Sequence, residues 1–334
     1  MGSASRARAP RVGLVARESF RLHLTGPDHP EQPARVGAVL EGLRAAGLLA
    51  RLVRLPFTAA SPDDLHLVHE PAYVELVRLA CEQGFEFIGD YETRLCARSF
   101  EVASAAAGGV LSACDAVLAG EVDRVFCVVR PPGHHAGRDR AGGFCLFNHA
   151  TLAAEHLIRR RGFSRVAVVD FDVHHGNGTA EIFEERADVL FVSLHEHPLS
   201  LKYPGTGWPG DEGRGAGKGY TVNACVPHGG GESQYRAALA RRVLPALERF
   251  VPEFLVLSAG FDAHCTEEHA HVNLEAASFG WLTDELVGVA RRLCGGRIVS
   301  VLEGGYDLRH LGACAAAHVG ALLDGPAAPS TPPH

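Results

Sequence analysis

Several features that would assign this 334-residue sequence to a specialised class are missing from it. The nine cysteines are odd in number and form no Cys-x-x-Cys pair, so they indicate neither a disulfide framework nor a zinc ribbon, and we expect most of them to be reduced and buried. No run of about 18 apolar residues occurs, which predicts no membrane-spanning helix. The basic stretch Met1–Arg11 is not followed by an apolar segment with a cleavage site, which predicts no secretory signal. We therefore expect a cytoplasmic protein.

An excess of positive charge is missing as well. Lys and Arg number 32 against 39 Asp and Glu, which leaves a formal net charge of −7. Surfaces that bind nucleic acid or anionic membranes need clustered Lys and Arg, so we expect neither partner. No repeat with a period of about 20–50 residues is visible, which argues against a solenoid. The oligomeric state has no signature in the sequence.

What the sequence does contain is an alternation of short β-branched runs with longer segments of helical period. The clearest predicted strands are Val125–Val129, Val166–Val169, Val189–Leu194, Phe254–Leu257 and Ile298–Leu302. The clearest predicted helices are Arg35–Ala46, Ser99–Ala119, Ala150–Arg160, Tyr235–Phe250 and Phe279–Leu293. This pattern is typical of a mainly parallel sheet with helices on both faces. Since no linker interrupts it, we predict a single three-layer α/β/α domain over residues 12–323, with flexible termini at 1–11 and 326–334.

Alternating polar residues end the strand predicted at Val166–Val169. Asp170, Asp172 and His174 are two residues apart, so on an extended segment they share one face. Carboxylates and imidazoles bind Zn²⁺, and a catalytic zinc takes three protein ligands and keeps one position open. Asp172 and His174 could supply two ligands, and Asp262, which follows another strand, is a candidate for the third. A helix cap or a solvated turn is the alternative, but burying several ionisable groups without a partner is costly.

Two further loops carry groups suited to hydrolysis. His134 and His135 follow a predicted strand within Arg-Pro-Pro-Gly-His-His, and imidazole is suited to acid–base work near neutrality. Tyr306 lies in Glu-Gly-Gly-Tyr after the last strand, and a phenol can donate a hydrogen bond to an oxyanion. Because the loops at the carboxyl ends of parallel strands build the ligand site in α/β folds, we predict that these loops meet.

In these motifs the sequence resembles the arginase/deacetylase fold and, within it, the histone deacetylases and acetylpolyamine amidohydrolases. The resemblance extends from Leu14 to about Leu323. The motifs that carry it are His29-Pro30-Glu31, Arg-Pro-Pro-Gly-His-His, Gly143-Phe144-Cys145, Asp-x-Asp-x-His-His-Gly-Asn-Gly, Ser258-Ala259-Gly260-Phe261-Asp262 and Glu-Gly-Gly-Tyr. It implies a zinc-dependent deacetylase that acts on the amide of an acetylated lysine peptide or protein, or of an acetylated small amine.

The resemblance also implies a role for each site residue. The implied zinc ligands are Asp172, His174 and Asp262. The implied catalytic residues are His134, His135, Tyr306, Asp170 and Asn177. Of these, His135 would be the general base and acid, His134 its electrostatic partner, and Tyr306 the group that polarises the acyl carbonyl. Asp170 would orient His134. Some family members carry Asp where this chain has Asn177, so we expect His135, which Asn177 would contact, to be less basic.

Further residues are implied around the substrate and around a second ion. The implied substrate-binding residues are Gly143, Phe144, Tyr203 and His269. Among them, Phe144 would line a narrow tunnel. The residues implied for a structural K⁺ are Asp170, Asp172, His174, Ser193 and Leu194. Arg35 resembles a buried arginine near an acetate-release cavity, and a charge on a helix surface is the alternative.

Two other functions compete with the deacetylase. A binuclear manganese ureohydrolase of the same fold needs more bridging carboxylates, and His264 occupies the position two residues after Asp262. A non-catalytic binding module is the other alternative. The substrate also stays open, because many relatives have Asp-Pro-Leu where this chain has Glu267-Glu268-His269. This change predicts a mobile, acidic pocket mouth that favours small cationic amines, with neutral drift as the alternative.

Overall fold

The computed structural model describes residues 9–324. The strands in this range are β1 (Val12–Val15), β2 (Val53–Arg54), β3 (Phe87–Ile88), β4 (Asp90–Arg94), β5 (Arg124–Cys127), β6 (Val166–Asp170), β7 (Val189–Ser193), β8 (Thr221–Asn223), β9 (Phe254–Ala259) and β10 (Ile298–Leu302). The α-helices are α1 (Ala34–Ala45), α2 (Pro62–Leu65), α3 (Pro71–Glu82), α4 (Ser99–Leu118), α5 (His149–Glu155), α6 (Asn177–Phe183), α7 (Glu232–Ala238), α8 (Leu244–Phe250), α9 (Ala276–Leu293) and α10 (Leu308–Asp324). The shorter helical turns are Glu18–Leu22, Leu49–Arg51, His156–Arg160, Gly215–Gly217 and Leu239–Val243.

Eight of these strands form one parallel sheet in the order β2-β1-β5-β10-β9-β6-β7-β8. Strands β3 and β4 form a separate antiparallel hairpin. The central strands β5, β10, β9 and β6 are buried along their whole length. Burial of this kind requires helices on both faces of the sheet. The predicted α/β fold with a mainly parallel central sheet is confirmed.

The predicted strands and helices are present, with ends that differ by a few residues. Two of the predicted helices contain π-helical turns: α5 continues through His156–Arg160, and Leu239–Val243 joins α7 to α8. The sequence pattern missed α10, which begins just after Tyr306 and packs against α1 and α9. The predicted tail 326–334 and residues 1–8 of the other tail lie outside the described residues. Arg11 donates its backbone N–H to Asp123 Oδ2 at 2.7 Å.

Helix α4 bears on the prediction that the sequence contains no membrane-spanning helix. Although polar residues interrupt this 20-residue helix, an 18-residue window within it reaches a mean hydropathy of 1.3 and meets the length and composition of a membrane span. Yet 78% of that window is buried inside the protein, as is typical of a core helix. Gly108 shows how closely it packs, since a Cβ there would overlap the carbonyl oxygen of Thr58. The cytoplasmic location stays a prediction.

The sheet order determines where the chemical groups meet. Strands β5, β10, β9 and β6 are neighbours and run in the same direction, so the loops that follow them open at one edge of the sheet. These loops carry His134 and His135, Tyr306, Asp262, and Asp172 with His174. Four motifs that are far apart in sequence are therefore brought together by the parallel pairing.

Candidate active site

Three side chains converge beyond the ends of β6 and β9. His174 Nδ1 lies 3.2 Å from Asp172 Oδ1 and 3.0 Å from Asp262 Oδ2. Both carboxylates are buried, and backbone amides anchor them: Gly304 N–H donates to Asp172 Oδ2 at 2.8 Å, and Val173 N–H donates to Asp262 Oδ1 at 2.9 Å. The His174 side chain stays 12% exposed. The group is thus held rigidly, with the imidazole towards the open side.

Two glycines make room for the carboxylates of Asp172 and Asp262, because a side chain at either position would overlap them. A Cβ on Gly304 would overlap Asp262 Oδ2 and lie 2.6 Å from Asp172 Oδ2. A Cβ on Gly260 would overlap the Asp172 carboxylate as well. The backbone just after β9 and β10 therefore approaches the carboxylates more closely than a residue with a side chain would allow.

The electrostatics of this group favour a cation. Burial lowers the pKa of His174, but hydrogen bonds and charges from Asp172 and Asp262 outweigh burial and raise it to about 10. Burial, together with the neighbouring charge of Asp172, raises the pKa of Asp262 to about 7. One imidazolium thus balances two buried carboxylates. A divalent cation would offer the same compensation, and one nitrogen with two carboxylates is a donor set that zinc accepts. The residues present fit a zinc ion.

The tandem histidines lie beside this group, each held by a different partner. His134 donates its Nδ1–H to Asp170 Oδ2 at 2.9 Å, and His135 donates its Nδ1–H to Asn177 Oδ1 at 2.6 Å. The two rings are 4.0 Å apart, and the His135 ring is 6.0 Å from that of His174. Because Asn177 engages Nδ1 of His135, Nε2 of that ring is free to accept a proton.

The two imidazoles differ in charge. Burial lowers the pKa of His134, but the carboxylates of Asp170 and Asp172 outweigh burial and raise it well above 6.5. Burial lowers the pKa of His135 well below 6.5, and the neighbouring charge of His134 lowers it further. At neutral pH the site therefore holds a cationic His134 next to a neutral His135, which is the arrangement that a proton acceptor needs.

Glu303 is a site residue that the sequence reasoning missed. Its Oε2 accepts the backbone N–H groups of Gly133 at 2.6 Å and His134 at 3.2 Å, and its Oε1 accepts Ser258 Oγ–H at 3.0 Å. It therefore joins the ends of β9 and β10 to the histidine loop after β5. Its signal in the sequence is an acid placed directly after a buried strand.

Arg35 is buried, so its interpretation as a surface charge on a helix is wrong. Its Nε–H donates to the carbonyl oxygen of Gly305 at 2.7 Å, and a terminal nitrogen donates to the carbonyl oxygen of Glu303. A second terminal nitrogen pairs with Glu31 Oε1 at 3.1 Å. The guanidinium carbon lies 4.9 Å from the centre of the Tyr306 ring. Arg35 thus supports the Gly-Gly-Tyr loop from inside the protein.

Glu267 is also turned inward, which corrects the expectation of an acidic pocket mouth. Its Oε1 accepts the backbone N–H groups of Tyr306 at 2.7 Å and Asp307 at 2.9 Å, and the residue is only 9% exposed. Glu268 next to it is exposed. Of the two acids, only Glu268 can contribute charge at the mouth.

A cavity of about 380 Å³ opens above the three converging side chains. Its lining residues are His29, Pro30, Tyr91, Glu92, Arg94, His135, Gly143, Phe144, His174, Leu201, Tyr203, His269 and Tyr306. The substrate-binding residues predicted from the sequence, which are Gly143, Phe144, Tyr203 and His269, all line this cavity. Tyr91, Glu92, Arg94 and Leu201 were missed, because nothing in their local sequence shows that these segments reach it.

Aromatic rings form much of the cavity wall. The Phe144 ring lies 5.6 Å from that of Tyr306, and the Tyr203 ring lies 5.0 Å from that of His135. The His269 ring is 6.0 Å from Tyr306. Gly143 has a φ of +54°, and a Cβ there would lie 2.6 Å from the Tyr203 hydroxyl oxygen. Glycine at this position therefore keeps the channel beside Tyr203 open.

The residues implied for K⁺ are neighbours across β6 and β7. Asp170 is the register partner of Ser193, and Leu194 N–H donates to the Asp170 carbonyl oxygen at 2.8 Å. Asp172 N–H donates to Asp170 Oδ1 at 3.1 Å, and His174 N–H donates to Asp172 Oδ1 at 2.9 Å. The five residues thus lie at or just beyond the carboxyl ends of β6 and β7.

His264 does not join the three converging side chains. Its Nδ1 bonds with Thr266 Oγ1 at 2.9 Å, and it lies in a different cluster with Cys265 and Glu275. The carboxylate-rich site of a binuclear ureohydrolase would need a metal ligand from this position, so the geometry gives that alternative no support.

Comparisons with known proteins agree with this geometry. The family model described as "Histone deacetylase domain" matches residues 29–322. The chain therefore belongs to the histone deacetylase family, and membership in a family of deacetylases supports an amidohydrolase activity.

Named relatives show how far the similarity extends. A probable deacetylase of Archaeoglobus fulgidus is 38% identical over 299 residues, which is 89% of this chain and 82% of the relative. The polyamine deacetylase HDAC10 of Homo sapiens is 39% identical over 311 residues, which is 91% of this chain and 46% of the relative. The crystal structure of the HDA15 HD domain superposes with a TM-score of 0.88 at 36% identity, covering 96% of this chain and 90% of that one.

Proposed function

We propose that this chain is a zinc-dependent deacetylase that hydrolyses the amide of an acetylated amine. One observation carries the proposal: His174, whose Nδ1 lies beside both buried carboxylates, lines the same cavity as His135 and Tyr306. A metal-ligating group, a proton acceptor and a hydroxyl donor therefore face one volume. Membership of the histone deacetylase family supports the same chemistry.

The chain's own residues can carry the proton transfers. When bound by Asp172, His174 and Asp262, zinc would supply Lewis acidity, which activates water for attack and polarises the amide carbonyl. His135 is neutral because its pKa is depressed, so it accepts the proton of the attacking water at Nε2 and delivers it to the leaving nitrogen. His134, kept cationic by the nearby carboxylates, stabilises the negative charge that develops.

Tyr306 acts on the carbonyl oxygen. Burial raises the pKa of its hydroxyl well above 10, so the group stays protonated and can donate a hydrogen bond as negative charge develops on that oxygen. One such donor typically contributes about 3–4 kcal/mol to transition-state stabilisation. Glu267 and Arg35 hold the backbone of the Tyr306 loop, so the hydroxyl is supported on a rigid segment.

The proposed substrate is the N-acyl derivative of a primary amine, whose carbon chain passes the aromatic wall of the cavity. Acetyl-lysine in a peptide or protein fits this description, and an acetylated polyamine is the second candidate. Two exposed acids favour the polyamine because they attract a second cationic nitrogen: Glu92, which lines the cavity, and Glu268, which precedes the lining residue His269. The human relative is named a polyamine deacetylase. Arg94 also lines the cavity and opposes that attraction.

The proposal is tested by metal analysis together with hydrolysis of a fluorogenic acetyl-lysine peptide. We expect about one zinc per chain at this site, loss of activity with a chelator and recovery with zinc. Asp172→Ala and His174→Ala should lose both this metal and the activity, whereas Asp63→Ala, at a carboxylate 94% exposed, should lose neither. Activity that survives metal removal, or an Asp172→Ala variant that keeps its full metal content, would overturn the assignment.

Substrate choice is tested by comparing kcat/KM for acetylated polyamines and a neutral acetyl-lysine peptide. Glu92→Gln/Glu268→Gln should lower the value for polyamines more than for the peptide, and the difference should shrink at high salt because exposed charges are screened within about 8–10 Å. Equal effects on both substrates would mean that these acids do not select the amine.

We also propose that K⁺ binds among Asp170, Asp172, His174, Ser193 and Leu194, since backbone carbonyls and carboxylates suit such a hard cation. Thermal unfolding in KCl should then occur at a higher temperature than in NaCl of equal ionic strength. Identical unfolding temperatures in the two salts would contradict the proposal.

A further inference from the structure

A second group of metal-binding side chains lies outside the cavity, where three segments of the chain meet. Glu196 follows β7, His228 follows β8, and His271 ends the rim segment, defined as Cys265–His271. Glu196 pairs with Val226 as an isolated β-bridge, and Gly229 N–H donates to the carbonyl oxygen of His271 at 2.8 Å. The backbone therefore fixes the three segments side by side.

Glu196 has a buried carboxylate that pairs with histidines rather than with Lys or Arg. Its side chain is 0% exposed, and within residues 9–324 its ion-pair neighbours are His228 and His271, with no Lys or Arg within 4.0 Å. Its Oε2 accepts the backbone N–H of His271 at 2.8 Å. Burying a carboxylate is costly unless another charge compensates it, and here only imidazoles are available to do so.

The three ligand atoms have the spacing of a metal site. His271 Nδ1 lies 3.1 Å and His228 Nδ1 lies 3.7 Å from the same oxygen, Glu196 Oε1. In a tetrahedral zinc site with bonds of about 2.0–2.2 Å, neighbouring ligand atoms are about 3.4 Å apart. The two observed distances to Glu196 Oε1 bracket this value, and all three ligand atoms lie within 4.8 Å of one another.

The remaining surroundings suit an ion that is open to solvent. The side chains of His228 and His271 are 66% and 47% exposed, and their rings lie 4.8 Å apart at 37°. Water can therefore reach the positions that the protein does not fill. The carboxylate is thus buried while both imidazoles reach the surface.

We propose that Glu196, His228 and His271 form a second metal site, which binds a divalent transition ion such as Zn²⁺ and fastens the rim segment to the loop after β8. His269, which lines the mouth of the cavity beside Tyr306, is two residues from His271. An ion at this site therefore restrains the segment that shapes the mouth. Metal binding here does not depend on the deacetylase assignment.

The test measures zinc content and rim mobility in the full chain. After equilibrium dialysis against micromolar Zn²⁺, His228→Gln and His271→Gln should each hold one equivalent less than the wild type, whatever the site at Asp172 contains. Adding that equivalent to the wild type should slow hydrogen–deuterium exchange of the amides in 265–274, and His228→Gln should not show the slowing. Thermal unfolding confirms that the variants are folded.

Two control variants separate this site from others nearby. Cys265→Ser removes a ligand from the neighbouring His264, Cys265 and Glu275 cluster, and His66→Gln removes an imidazole from α2's carboxyl end. Both should keep the additional zinc. The proposal is overturned if His228→Gln and His271→Gln hold as much zinc as the wild type, or if the additional equivalent disappears in Cys265→Ser.

Discussion

Glu267 is expected to control the rate of the reaction through the position of Tyr306 rather than through charge at the pocket mouth. Its Oε1 accepts two successive backbone N–H groups, those of Tyr306 and Asp307. Glu267→Ala removes that acceptor and leaves both donors in a largely buried place. The backbone at Tyr306 would then no longer be hydrogen-bonded to the rim, and the Tyr306 hydroxyl could shift with it.

The size of the effect follows from two terms. Leaving a buried donor unsatisfied costs about 1–3 kcal/mol, so two donors destabilise the observed loop position by about 2–6 kcal/mol. If the Tyr306 hydroxyl then moves out of reach of the carbonyl oxygen, the loss is that of one oxyanion donor, about 10²–10³ in kcat. We therefore expect kcat to fall by up to about 10²–10³ while KM changes little.

The assay is steady-state hydrolysis of an acetyl-lysine peptide by Glu267→Ala, Glu267→Gln and Tyr306→Phe. Glu267→Gln keeps an oxygen acceptor in the same place, so it should restore most of kcat. Because Glu267 acts through Tyr306, the double variant Glu267→Ala/Tyr306→Phe should be about as slow as Tyr306→Phe alone. If Glu267→Ala instead weakened the fold in general, its effect on kcat would add to that of Tyr306→Phe in the double variant.

Two results would refute this reasoning. One is a folded Glu267→Ala enzyme whose kcat stays within about twofold of the wild type. The other is full additivity of the two substitutions in the double variant, which would show that Glu267 supports activity by a route that does not involve Tyr306.

Three further substitutions test other parts of the site. Tyr306→Phe should lower kcat by about 10²–10³ and leave metal content unchanged, and a rise in KM alone would make the phenol a mere contact. Gly304→Ala should reduce metal content, measured by metal analysis, because the added methyl overlaps Asp262 Oδ2. Asn177→Asp places a carboxylate beside Nδ1 of His135, so it should raise the pKa of that imidazole and move the acid limb of the pH profile of kcat/KM to higher pH. An unmoved or lowered acid limb would argue against His135 as the base.

Much of the site was predictable because strand periodicity is local and because the loops of every parallel sheet follow one general rule. Asp170, Asp172 and His174 alternate after an apolar run, and this spacing alone predicts that they share a face. The position of Asp262 followed from a general property of parallel sheets, whose loops open at the same edge as the carboxyl ends of the strands. The structure brings His174 within 3.2 Å of both carboxylates.

Arg35 and Glu267 were not predictable in the same way. On sequence grounds Arg35 could equally lie on a helix surface, because its buried partners, Glu31, Glu303 and Gly305, include two that are about 270 residues away. Glu267 looked like a surface acid, since charged residues in a loop are usually solvated. Its true partners are backbone N–H groups about 40 residues further along the chain, and backbone groups leave no residue-specific signal in a sequence.

The sequence by itself determined the strand and helix pattern, the parallel α/β class and the residues able to ligate a metal, because these depend on residue type and short-range spacing. Only the tertiary structure decided which polar side chains are buried together and which face solvent. Glu196, His228 and His271 show the reason: they lie in three separate loops, and only the order of β7 and β8 and the path of the rim segment bring their ligand atoms within 4.8 Å of one another.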